Sequence, residues 1–208
     1  MVFFEEATNG ADMDNATLDA YDQNAAAFAE DWETQKAPKD LYEIVHRYFK
    51  IGLTADVGCG SGRDTAWLNA NGYPARGYDA SEGLLNEARR RHSGIVFKRS
   101  SLPNLEGVVD STFANVLCET VLMHLEISSI VAAVQRLLAI LVSDGVLYLS
   151  WRVTEGVDKH DNHGRLYSAF EPALVVRALR SAKVLLNESR VSESSGKLIH
   201  RIVAQRHR

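Results

Sequence analysis

The chain has 208 residues, 46% of them hydrophobic and 24% charged, which suits one domain of ordinary size with a sizeable core. A formal net charge of −4 argues against a broad electrostatic grip on nucleic acid, and no apolar run approaches the roughly 18 residues a membrane span needs. Cys59 and Cys118 are the only cysteines, too few for a disulfide framework, and they fit a reducing, cytoplasmic setting. Met1-Val-Phe-Phe is followed by Glu5-Glu6 rather than by a basic and then an apolar region, so no signal peptide is expected.

Residues 1–36 divide from the rest. Glu5, Glu6, Asp12 and Asp14 stand among few large apolar groups, which predicts a loosely packed lead-in. Asp14 or Asn15 can cap a helix, after which Leu18, Tyr21, Ala25, Phe28 and Trp32 recur every three or four residues along one helical face. Such a stripe needs a surface to bury against, either the domain surface or the mouth of a ligand site, and Tyr21 is the residue to watch. The core is expected over 37–208. Pro38 opens a helix over Lys39–Lys50 with an apolar stripe of Leu41, Ile44, Val45 and Tyr48, and Gly52 breaks it.

Leu53 to Val57 is a short apolar run with a β-branched end, the first strand. Gly58, Gly60 and Gly62 follow at spacing two, and Asp64–Ala70 has helical character. A strand, a glycine turn and a helix start make a corner that binds anions or nucleotides, because glycine lets the backbone turn tightly and the helix start offers free N–H groups. Tyr73–Tyr78 reads as a second strand ended by Asp79, 21 residues after Gly58, where a ribose-binding acid sits in such units. A dinucleotide fingerprint starting at Gly58 would need glycine at position 63, which is Arg63, so an NAD-dependent enzyme is disfavoured.

Further on, Ser81 can cap a helix over Glu82–Arg91 with a basic last turn. Gly94–Arg99 is a third strand closed by Ser100-Ser-Leu-Pro103, and Phe113–Cys118 a fourth of buried type. Ile127, Ile130, Val131, Val134, Leu137, Leu138 and Leu141 trace a helical stripe. Ser143-Asp-Gly145 predicts a turn before a fifth strand, Val146–Trp151. Arg152–Ser168 lacks periodicity and reads as a long loop. Pro172 opens a helix to about Ala182, and Lys183–Glu188 and Lys197–Ala204 are the last strands, joined around Ser194-Ser-Gly196. Strands alternating with helices imply a mostly parallel, doubly wound α/β sheet covered on both faces, with an antiparallel final strand. Ligands bind at the carboxyl ends of such strands, where Gly58–Gly62, Asp79, Ser100, Ser101, Cys118–Thr120, Trp151 and Arg152 all fall.

The stretch Asp56-Val-Gly-Cys-Gly-Ser-Gly62 resembles the first motif of class I S-adenosylmethionine-dependent methyltransferases, and Asp79-Ala80 resembles their ribose-binding acid. The resemblance extends through Leu117-Cys-Glu-Thr-Val-Leu-Met-His-Leu125 and Ser143–Ser150, covering roughly residues 50–205. It implies a single seven-stranded domain over 1–208 and S-adenosylmethionine as cofactor. It also implies cofactor roles for Asp56, Gly58, Cys59, Gly60, Gly62 and Arg63 around the methionine part, and for Asp79 and Ala80 at the ribose. Cys118 and Glu119 would pass near the methyl group. At the adenine, relatives usually carry an acid before a Leu-Pro pair; here Ser100 or Ser101 takes that place before Leu102-Pro103, with Leu102 also at the cofactor, and a serine hydroxyl accepts without charge assistance. His124 stands where many relatives carry histidine, either as a proton acceptor or as a loop-holding group.

Methyl transfer from a sulfonium asks mainly for alignment in a water-poor site, with a base where the nucleophile carries a proton. The acceptor pocket is expected from the 152–168 loop, the N-terminal helix and His124, which makes Tyr21, Trp151, Arg152, His163 and Arg165 the substrate candidates; an arginine fork suits an anionic group. His160 and His163 are spaced for a metal but have no third ligand, so no metal site is predicted. The expected function is methylation of an oxygen or nitrogen atom of a small molecule. The alternatives are a tRNA or protein methyltransferase and a non-catalytic cofactor-binding regulator. Neither the acceptor nor the oligomeric state follows from the sequence.

Overall fold

The computed structural model describes residues 13–208; Glu5, Glu6 and Asp12 of the expected lead-in lie outside the described residues. In chain order the elements are α1 (Asn15–Gln23), α2 (Ala25–Thr34), α3 (Lys39–Tyr48), β1 (Thr54–Val57), α4 (Arg63–Ala70), β2 (Ala75–Asp79), α5 (Glu82–Arg91) and β3 (Val96–Arg99). Then follow β4 (Phe113–Cys118), a 3-10 turn (Leu122–His124), α6 (Ile127–Ala139), β5 (Leu141–Arg152), β6 (Lys159–His160), β7 (Leu166–Tyr167), α7 (Pro172–Ala178), β8 (Ala182–Val191) and β9 (Leu198–Arg206).

Seven strands form one sheet in the order β3-β2-β1-β4-β5-β9-β8. β1 to β5 pair in parallel, and β9 is antiparallel to both β5 and β8, so six strands share a direction and only β9 opposes them. All four residues of β1 are buried, as a central strand requires. The winding reverses between β1 and β4, which opens a crevice at their carboxyl ends. Alternation along β5 serves two cores: Val146 and Tyr148 pack with Leu41, Val45 and Leu68 of α3 and α4, while Leu147, Leu149 and Trp151 pack with Ile130, Val134 and Leu137 of α6. Each fully buried side chain of this size contributes about 1.5–3 kcal/mol. Asn115, fully buried within β4, accepts from the Lys50 N–H (2.9 Å) and donates to the Lys50 carbonyl (2.8 Å), fixing how α3 enters β1. No helix among the described residues is long and apolar enough to cross a membrane.

Four local expectations are corrected. The stripe from Leu18 to Trp32 spans two helices: Asn24 has φ −119°, and its backbone N–H and side-chain amide both donate to the Ala20 carbonyl (3.2 and 3.0 Å), ending α1 while α2 begins. The turn at 143–145 lies within β5 as an irregularity, where pairing jumps from Phe113↔Leu141 to Asn115↔Val146 and Asp144 adopts φ 61°. The loop after Arg152 contains the β6–β7 hairpin, because Asp161 accepts from the backbone N–H groups of His163 and Arg165 (2.9 and 3.0 Å) and closes a turn. α7 stops at Ala178, with Leu179 as its cap, and the last two strands are longer than expected because the β8–β9 ladder runs from Ala182↔Arg206 to Val191↔Leu198.

Candidate active site

The glycine corner is built by left-handed backbone. Gly58 and Gly60 have φ 76° and 53°; a Cβ on Gly58 would stand 2.2 Å from Val121 and one on Gly60 2.8 Å from the Trp32 ring. The Gly58 and Cys59 N–H groups donate to the Tyr78 carbonyl (2.7 and 3.1 Å), which straps the corner to β2. Asp79 then ties the corner to the next helix: one carboxylate oxygen accepts from the Gly60 N–H (2.8 Å), the other from the Ser81 N–H (2.9 Å). Each oxygen keeps a second lone pair for a ligand hydroxyl. Burial raises the Asp79 pKa. Ser81 caps α5 as expected, accepting from the Leu84 N–H (3.1 Å), and donates to Asp22 of α1 (2.5 Å).

Acids dominate this end. Asp56 accepts from the Thr65 hydroxyl (2.6 Å), and burial, with Asp64 adding, pushes its carboxyl up to about 8. Glu119 accepts from the Ser150 hydroxyl (2.6 Å), and burial pushes it up to about 7. The Thr120 N–H donates to the same Ser150 oxygen (3.0 Å) from a left-handed conformation, φ 55°. Arg63 grips Asp64 with two bonds (3.0 and 2.9 Å). The Ser61 hydroxyl is buried with no partner among the described residues. Acids held partly protonated by burial, an orphaned hydroxyl and a corner opened by glycines fit a ligand that carries a cationic ammonium, a sulfonium and a ribose. Of the two adenine candidates, Ser100 donates to the Glu106 carbonyl (3.1 Å), which leaves Ser101 the freer hydroxyl.

The second end is aromatic and basic. Tyr21 of α1 meets the Nε2 of His124 at 3.0 Å, and the Nδ1 of His124 lies 2.6 Å from the Leu166 carbonyl. A carbonyl only accepts, so Nδ1 carries the proton and Nε2 accepts from the Tyr21 hydroxyl. Arg165 donates to the Tyr21 oxygen (3.3 Å) and holds Asp161 through Nε (2.8 Å) and Nη2 (2.6 Å). Its guanidinium lies 4.6 Å from the Phe28 ring centre. Burial holds His124 down to about 4 and the Tyr21 hydroxyl up to about 12. Thr17 adds a further tie, accepting from the Leu166 N–H (2.8 Å).

Both ends open into one cavity of about 270 Å³. It brings together Asp56, Gly58, Cys59, Gly60, Arg63, Asp79, Ala80, Ser100, Ser101, Leu102, Glu119, His124, Tyr21, Arg152 and Arg165. Four candidates do not line it. Gly62 faces the Phe97 and His92 rings under α4, and the Cys118 side chain is fully buried in the core. Trp151 turns to the opposite face from Ser150 and packs on Phe170 and His200. His163 is exposed, with its ring edge against Phe28. Tyr167 of the expected acceptor loop lines the cavity, as do residues missed from sequence: Phe28, Trp32 and Gln35 of the α2 segment, and Ser192, Ser194 and Ser195 of the β8–β9 turn. The helical stripe pointed to the first two; nothing in the sequence links the serines to a site. Among the described residues, no group of three or more His, Cys, Asp or Glu side chains could hold a metal ion.

The sheet order, the glycine corner and Asp79 at its edge are those of the Rossmann-like fold that class I S-adenosylmethionine-dependent methyltransferases share. Residues 55–145, less than half of the chain, match the family model described as a methyltransferase domain. A trans-aconitate 2-methyltransferase from Methylobacterium nodulans is 39% identical over 74 residues, 33% of this chain and 28% of the relative, so the match spans under a third of that protein's length. The fold is shared with 1,6-didemethyltoxoflavin-N1-methyltransferase of Burkholderia thailandensis, solved with its substrate and S-adenosylhomocysteine: TM-score 0.74, 19% identity, 93% of this chain and 88% of that one. It is shared too with an S-adenosylmethionine-dependent methyltransferase of Methanosarcina mazei, with TM-score 0.70, 19% identity, 80% of this chain and 98% of that one.

Proposed function

We propose that the protein transfers a methyl group from S-adenosylmethionine to an oxygen or nitrogen atom of a small molecule. The observation that carries this reading is the convergence of the glycine corner and Asp79 with a separate aromatic and basic chamber on one cavity. The cofactor supplies an electrophilic methyl group on a sulfonium. Asp79 accepts from the ribose hydroxyls, and Asp56 and Glu119 favour the ammonium by charge. Ser101 offers a hydroxyl to the adenine, and the bare backbone of Gly58 and Gly60 lets the methionine part come close. Phe28 and Trp32 exclude water over the corner, while Tyr21, Arg152 and Arg165 line the acceptor side. The formal charge of −4 favours a small acceptor over tRNA. The small-molecule names carried by trans-aconitate 2-methyltransferase and 1,6-didemethyltoxoflavin-N1-methyltransferase agree with that choice. Cys59 and Cys118 are both free and buried, and we place the reaction in the cytoplasm.

Isothermal titration tests the cofactor: S-adenosylhomocysteine should bind at micromolar Kd or tighter, about −8 kcal/mol or better, without competition from NAD. Asp79→Ala should weaken it by ~1–3 kcal/mol. Turnover of a small-metabolite pool, and none of tRNA, should follow. Wild-type affinity in the variant would refute the ribose role, and NAD binding in place of the homocysteine product would refute the function.

A further inference from the structure

Of the two arginines on the acceptor side, only Arg152 has charge to spare. Arg165 is neutralised by Asp161 and also spends an N–H on Tyr21. Arg152 ends β5 opposite Ile199, lies 5.1 Å over the Tyr167 ring, lines the cavity, and has no hydrogen bond or ion pair with any described residue. A half-buried guanidinium left unpaired inside a cavity is built for an anion that arrives with the ligand.

Among the described residues, the same chamber holds no free carboxylate or imidazole. The one lone pair of neutral His124 is occupied by the Tyr21 hydroxyl, and the Arg165 bond to the Tyr21 oxygen holds that hydroxyl in place. An imidazole held down to about 4 and a phenol held up to about 12 take no proton from an acceptor near neutral pH. Glu119 belongs to the other end: its partner Ser150 lies on the α3–α4 face of β5, and Asp64 and Arg63 are its charged neighbours. Asp56, Asp64 and Asp79 lie at that end too, bonded to Thr65, Arg63 and the Gly60 and Ser81 N–H groups, and Asp31 is exposed and accepts from Gln35 (2.8 Å).

An anionic acceptor that needs no base is a carboxylate, ionised at neutral pH and matched to the guanidinium fork. We propose that the acceptor is a small organic carboxylate, held through one oxygen by Arg152, and that the product is its methyl ester. This rests on the methyltransferase reading above. A lone pair of the second carboxylate oxygen forms the new bond to the methyl carbon. The carbon–sulfur bond breaks, its electron pair returns to sulfur, and a neutral thioether leaves; no proton moves. The step consumes one negative and one positive charge, so removing water from both favours it.

The test uses S-adenosylmethionine labelled in the methyl group and three panels: small carboxylic acids, their carboxamides with matching amines, and organic phosphates. Label should pass only to acids and return as volatile methanol after mild alkali, which cleaves an ester and spares N-methyl and ether products. With the best acid, Arg152→Gln should lower kcat/KM at least tenfold, mainly through KM, and Arg152→Lys should recover part of it. Both variants should bind S-adenosylhomocysteine like the wild type, which confirms their folding. Alkali-stable product, transfer to amides, amines or phosphates, or unchanged kcat/KM in Arg152→Gln would overturn the carboxylate assignment while leaving methyl transfer standing. Failure to bind S-adenosylhomocysteine at all would instead overturn the function beneath it.

Discussion

Replacing Tyr21 by phenylalanine isolates what fastens α1 over the cavity. The ring and its edge contact with Phe28 (5.2 Å between centres) remain; only the hydroxyl goes. That hydroxyl donates to His124 and accepts from Arg165. Arg165 still has Asp161, so its loss is small, about 0.5 kcal/mol. His124 is only 3% exposed, and its Nε2 would be left without a donor, which costs about 1–3 kcal/mol. The sum is about 2 kcal/mol, or a Tm lower by about 4–8 °C for a domain of this size. A pH dependence follows. The folded pKa of His124, about 4, lies below its ordinary 6.5, so the unfolded chain takes the proton first. His124 therefore costs the wild type stability as pH falls from 6.5 towards 4, about 2 kcal/mol by pH 5. In Tyr21→Phe the neutral imidazole has lost its donor, its pKa rises, and that cost shrinks. The stability gap between the two proteins, measured by urea unfolding, should thus be wide at pH 7.5 and narrow at pH 5. Hydrogen exchange should quicken over 15–34 at neutral pH. Equal melting temperatures, or a gap that does not change with pH, would refute the Tyr21–His124 latch.

Two further outcomes probe the cofactor end. Gly60→Ala puts a methyl group 2.8 Å from the Trp32 ring on a left-handed backbone; α2 should be pushed outward, with affinity for S-adenosylhomocysteine down at least tenfold, about 1.4 kcal/mol, and faster exchange over 25–34. Wild-type binding by that variant would mean that Trp32 does not close on the corner. Asp56 and Glu119, raised to about 8 and about 7, should lose protons when a cationic ammonium arrives, so titration of S-adenosylhomocysteine near pH 7.5 should release protons, read as a binding enthalpy that differs between buffers of different ionisation enthalpy. Glu119→Gln should reduce the release and leave the share of Asp56. Buffer-independent heat would remove both acids from ammonium recognition.

The parts legible in the sequence are those set by neighbours along the chain. Gly58 and Gly60 announce left-handed backbone, the distance from them to Asp79 fixes one strand–helix–strand unit, and Ser81 stands where a cap is needed. Strands alternating with helical stripes determine a doubly wound sheet, and the closing hairpin determines its antiparallel strand. Periodicity has a phase but no address. It separates Trp151 from Arg152 as opposite faces without saying which one meets the cavity, and only Arg152 lines it. Tertiary packing alone decided that Tyr21 and His124, 103 positions apart, share one proton, that Trp32 covers Gly60, and that the serines of the β8–β9 turn reach a site begun at Asp56. Those contacts form because buried donors and acceptors must find partners, and which partner lies in reach is settled only once the sheet has ordered its strands.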